Sequence, residues 1–157
     1  TVAALATTMD KDDFLHIYIN GKGGGKGTIQ SAYLVLENGE RMNVEELKAA
    51  LAPLQHTKSI VLFSQPYGCA FAAGLGTQDR VAIAGCRPTD TGTSNQFDEH
   101  YFQGWHYGMG DTNLDGKVSL HELFDYAKSM NNRGEETYEP YLANVSLAHA
   151  LIMYQNR

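Results

Sequence analysis

Between Asp13 and Gly21 the chain runs Phe14, Leu15, Ile17, Tyr18 and Ile19 with little polar relief, then stops at Asn20-Gly21. That pattern predicts a buried strand. "SIVLFSQ" (59–65) and "DRVAIAGCR" (79–87) predict two more. "AYLVLENGERMN" (32–43) reads as a hairpin around Asn38-Gly39, with a turn of the primed type. "NVEELKAALAPL" (43–54) reads as a helix, with Asn43 as N-cap and Glu46 three residues on as its capping-box partner. Leu120, Leu123, Phe124 and Ala127 recur at helical spacing, and "ANVSLAHALIMY" (143–154) predicts a C-terminal helix. Apolar strands alternating with helices predict an α/β domain with a mainly parallel sheet covered on both faces. Sites in such sheets gather at the carboxyl ends of strands. The stretches to inspect are therefore "NGKGGGKGT" (20–28), "SQPYGCAF" (64–71) and "GCRPTDTGTSN" (85–95).

Composition narrows this further. The chain has 157 residues, 43% of them hydrophobic, which suits a single domain over 1–157. A formal net charge of −6 argues against a nucleic-acid partner. No apolar run is long enough for a membrane span, and the N-terminal stretch lacks the basic start and apolar centre of a signal peptide. The first residue is Thr1 rather than Met, so a processed or excised piece is expected, with an N-terminal nucleophile as the less favoured option. The two cysteines, Cys69 and Cys86, are too few for a disulfide scaffold, although each follows a strand and a bond between them is open.

The strongest chemical signal is "DTNLDGKVSLHE" (111–122). An EF-hand-type loop places oxygen ligands at loop positions 1, 3, 5, 7, 9 and 12, with glycine at 6. Here these are Asp111, Asn113, Asp115, the Lys117 carbonyl, Ser119 and Glu122, with Gly116 at the turn and Val118 as the apolar anchor. All-oxygen donors point to Ca²⁺ and away from zinc. The chain has one such loop, and nothing beside it reads as a nucleophile or base, so the expected role is a structural clamp. By contrast, "GKGGGKG" (21–27) fails as a phosphate loop: Asn20 stands for the first glycine and Gly27 for the Ser or Thr.

Together, "GKGG" (21–24), "SQPYGCAF" (64–71) and the metal loop occur in the order seen in caspase-like cysteine peptidases. The chain resembles that fold over about residues 5–155, closest to bacterial relatives of legumain. The resemblance implies a three-layer caspase-like sandwich. In the family a Gly-His-Gly-Gly-type motif carries the catalytic histidine, and an Asp-x-Cys-type motif carries the nucleophile. Here Lys22 stands at the histidine position and Pro66 at the cysteine position. Lysine stays protonated at neutral pH unless deeply desolvated, and proline carries no nucleophile, so catalysis does not transfer. The alternative is a divergent peptidase using Cys69, its thiol acidified by Lys22. Against it stands a small buried cysteine at a helix start.

Other features bear on the choice. His16 and His149 read as structural, His100 and His106 precede the metal loop, and His56 and His121 complete the set. The aromatic run Phe97, Tyr101, Phe102, Trp105 and Tyr107 reads as core; were it exposed, a calcium-dependent adhesion module would be the better reading. "TVAALATTMDKD" reads as a short helix, so the family's opening strands are missing. That leaves a sheet edge open to a protein partner or to self-association. The expected function is a non-catalytic, calcium-stabilised binding or structural subunit. A lone calcium loop points to an extracellular or cell-surface setting.

Overall fold

The computed structural model describes residues 2–10, 13–26, 28–54, 57–87, 95–131 and 139–155. The chain is mixed α/β with a mainly parallel central sheet. Its strands are β1 (Leu15–Ile19), β5 (Ser59–Phe63), β6 (Arg80–Ala84) and β8 (Tyr141–Ala143), in the spatial order β1-β5-β6-β8. β1, β5 and β6 pair in parallel, and β8 closes the sheet antiparallel to β6.

Every residue of β5 and β6 is buried, as continuous apolar runs require in a sheet covered on both faces. Alternation divides them. Val61, Phe63, Ala82 and Ala84 face one cluster, shared with Val44 and Leu47 of α2 (Val44–Ala50) and Phe71 and Leu75 of α3 (Gly68–Leu75). Ile60, Leu62, Val81 and Ile83 face the other. That second cluster holds Phe97 and Tyr101 of α4 (Asn95–His106), Leu120, Leu123, Phe124 and Ala127 of α5 (Leu120–Asn131), and Ala148 of α6 (Val145–Ala150). The four α5 residues are those the helical spacing selects. At roughly 2 kcal/mol for each fully buried large apolar side chain, these two clusters dominate stability.

Near the N-terminus lies α1 (Val2–Thr8), as the sequence predicts. α2 carries both bonds of its predicted capping box: Glu46 N–H to Asn43 Oδ1 at 2.9 Å, and Asn43 N–H to Glu46 Oε2 at 2.7 Å.

Four expectations change. β1 is half-buried rather than buried, with Tyr18 41% exposed, because β1 is the outer strand and pairs with β5 alone among the described residues. Lys22–Gly24 is not a loop but strand β2, which joins β3 (Tyr33–Val35) and β4 (Arg41–Asn43) in a small antiparallel sheet. The β3–β4 turn is not primed. Only Gly39 has positive φ (84°), and the bonds Gly39 N–H to Leu36 O (2.9 Å) and Leu36 N–H to Glu40 O (2.8 Å) make a three-residue loop with a glycine bulge. Finally, the C-terminal helix ends at Ala150, and Ile152–Gln155 is strand β9, paired antiparallel with β7 (Lys117–Ser119).

Candidate functional site

The carboxyl end of the sheet brings two of the singled-out stretches into contact. Beyond β1 the chain turns at Asn20-Gly21 into β2, and beyond β5 it runs Ser64-Gln65-Pro66-Tyr67 into α3. Ser64 N–H extends the β1–β5 pairing to Ile19 O at 2.8 Å. A side chain at Gly23 would run into the Pro66 carbonyl and lie 3.3 Å from Gln65 Cγ. Lys22, exposed, and Pro66 thus belong to backbones packed side by side, and Gly23 permits the approach. Tyr67 enters α3 with φ 64°, a left-handed conformation that costs a bulky residue about 1–2 kcal/mol. Gln65 is 1% exposed, and neither its amide nitrogen nor its amide oxygen has a hydrogen-bond partner.

Cys69, in the first turn of α3, is fully buried and joined to Cys86 just beyond β6, with their Cα atoms 5.5 Å apart. The bond left open by the sequence is present. A disulfide sulfur offers no thiolate, so this geometry gives the Cys69 alternative no nucleophile for Lys22 to activate. Most of the third stretch, from Pro88 to Ser94, lies outside the described residues, as do Thr1, Gly27 and His56.

One polar cluster at this edge was not legible in the sequence. Asp98, in the first turn of α4, accepts hydrogen bonds on Oδ2 from the Tyr18 hydroxyl at 2.6 Å and the Ser64 hydroxyl at 2.5 Å. Its Oδ1 is buried and has no partner. Burial, followed by donation to Asp98, raises the Tyr18 pKa. The contributing residues are distant in sequence, so only strand order and the seat of α4 bring them together.

The histidines divide. His16 is half-buried, bonded to the Tyr101 hydroxyl at 3.1 Å, and burial lowers its pKa to about 4. It is structural, as expected. His149 is exposed and stacks on His121 with ring centroids 3.8 Å apart. The aromatic run is mostly core: Phe97 and Tyr101 are buried, Phe102 and Trp105 pack against them, and Tyr107 is exposed.

The 111–122 segment turns on hydrogen bonds among its own polar groups. Asp111 accepts from Asp115 N–H (3.1 Å) and Gly116 N–H (2.9 Å), Asn113 from Asp115 N–H (2.8 Å), and Asp115 from Lys117 N–H (2.9 Å). Gly116 takes φ 82°, the glycine turn the loop requires, and Val118 is buried. Glu122 Oε2 caps α5, accepting from Ser119 N–H at 2.9 Å and the Ser119 hydroxyl at 2.8 Å. Its other oxygen, Oε1, is buried without a partner. That orphaned acceptor, with the acidic and amide oxygens of the loop, is a donor set suited to a hard cation. Among the described residues no three histidine, cysteine or acidic side chains converge closely enough to hold a metal by themselves. Asp111, Asp115 and Glu122 are therefore not drawn together as such a cluster in this structure.

No protein-family model matches the chain, and no curated protein matches it significantly. Among the described residues no helix is long and apolar enough to cross a membrane.

Proposed function

We propose that this chain is a caspase-like, three-layer α/β domain without peptidase chemistry, stabilised by Ca²⁺ and serving as a binding or structural subunit. One observation carries this reading: Lys22 and Pro66, at the two positions where the resemblance calls for histidine and cysteine, lie on adjacent backbones at the carboxyl end of the sheet. Helices on both faces of the mainly parallel sheet agree with the layered architecture. Ca²⁺ is held by Asp111, Asn113, Asp115, the Lys117 carbonyl, Ser119 and Glu122. The ion supplies a centre of positive charge that fixes the loop onto α5. The partner is a protein, or a second copy, that pairs with the outer edge of β1 (Leu15–Ile19), which lacks a strand on that side among the described residues. A buried disulfide suits an oxidising setting.

A thiol-directed covalent peptidase probe tests the reading. No labelling of the native, oxidised protein is expected, and turnover of a broad fluorogenic peptide set stays at the buffer rate. Labelling lost in Cys69→Ala would establish a working cysteine nucleophile and overturn the proposal. Sedimentation tests the partner: a purely monomeric chain that captures no protein through β1 counts against a subunit role.

A further inference from the structure

The metal loop lacks a second loop of its kind, yet its strand is paired. The loop's strand β7 (Lys117–Ser119) needs a neighbour for its outward backbone groups, since buried groups left unpaired are costly. β9 supplies it, in the register Lys117 to Gln155, Val118 to Tyr154 and Ser119 to Ile152, with an irregularity between Val118 and Ser119. The pairing continues into α5, where Leu120 N–H donates to Leu151 O at 2.8 Å. The Trp105 indole N–H donates to Met153 O at 2.7 Å. Leu151 and Met153 are buried in the cluster that holds Val118, Leu120 and Leu123.

From this we infer that β9 completes the calcium loop in place of a second loop, so that calcium binding and docking of the C-terminal strand are linked. The inference rests on the calcium reading above. Lys117 is where the two meet: its carbonyl is a proposed ligand, and the residue is also a rung of the ladder to β9. Ordering the loop around the ion fixes that rung, and a docked β9 holds the loop near its binding geometry. Linkage is reciprocal, so the factor by which calcium suppresses opening of β9 equals the factor by which loss of β9 weakens calcium binding. The C-terminal segment is then a calcium-held latch, firm when the ion is bound and freer when it is removed.

Hydrogen exchange on the unmodified chain, in EDTA and in saturating CaCl₂, tests this without any variant. Calcium is expected to raise protection of residues 111–122 and of 152–155 together, by a factor on the order of ten. A chain ending at Leu151 should bind calcium about tenfold more weakly by calorimetry, matching the exchange factor. Protection confined to 111–122 would overturn the latch and leave the calcium reading standing. An absence of calcium heat and of any protection at 111–122 would overturn both. Should the shortened chain fail to fold, the exchange measurement still decides.

Discussion

Lowering the pH from 7.5 to 4.5 should weaken this fold through one side chain, His16. The imidazole sits on β1 against the aromatic run of α4, with ring centroids 5.7 Å from Tyr101, 5.1 Å from Trp105 and 6.1 Å from Phe102. Its Nε2 is 3.1 Å from the Tyr101 hydroxyl, a buried phenol whose own pKa is raised and which stays neutral. Desolvation by this surrounding lowers the His16 pKa from its ordinary 6.5 to about 4. In the unfolded chain His16 takes a proton near pH 6.5; in the fold it resists until about 4. Between those values the unfolded state binds more protons, so stability is undiminished above 6.5, falls as pH drops through the window, and levels off below 4. The gap from 6.5 to about 4, at about 1.36 kcal/mol per pH unit, amounts to about 3 kcal/mol in all, of which about 2.5 kcal/mol is lost by pH 4.5. That is a large part of a typical domain stability of about 5–15 kcal/mol. Urea unfolding of the wild type and of His16→Phe at both pH values measures it. The difference between the two proteins should shift by about 2.5 kcal/mol in favour of the variant at the lower pH, whatever the substitution costs at pH 7.5. Parallel losses in the two proteins would refute the reasoning.

Other expectations follow from the same structure. Saturating Ca²⁺ at about a hundred times its dissociation constant should stabilise the chain by about 2.7 kcal/mol, read as a rise in melting temperature that EDTA reverses and Asp111→Ala abolishes. Thiol titration in denaturant without reductant should find no free cysteine. Replacing both Cys69 and Cys86 by Ala should cost about 3 kcal/mol, from the loss of a cross-link spanning 17 residues. Gly23→Ala should cost about 1–3 kcal/mol in a urea melt, because its methyl meets the Pro66 carbonyl, a backbone atom that cannot swing aside; a neutral effect would show that the two segments are not held together.

Much of this was legible along the chain because its cause is local. The runs at 59–63 and 80–84 bury both faces of every residue, and an apolar run needs no tertiary information to read as a covered strand. The Asn43–Glu46 box closes within one turn, and the bonds among Asp111, Asn113, Asp115 and Gly116 span at most five residues. The misses have equally particular reasons. "KGG" and "YLA" are too short to show a period; β2 exists because β3 lies beside it, and β8 because β6 offers an edge. "LIMY" continued a helical pattern, and its strand state comes from the ladder with β7.

The sequence by itself determined the covered strands at 59–63 and 80–84, the capped helix and the local turns of the 111–122 segment. Each depends on residue type and on neighbours a few positions away. Tertiary structure alone decided that Cys69 is bonded to Cys86, that Tyr18 and Ser64 share the Asp98 carboxylate, that Gly23 packs against the Pro66 backbone, and that β9 pairs with β7. These are contacts between residues far apart in the chain. They follow from strand order and helix seating, which bury the two apolar clusters together and which no local pattern encodes.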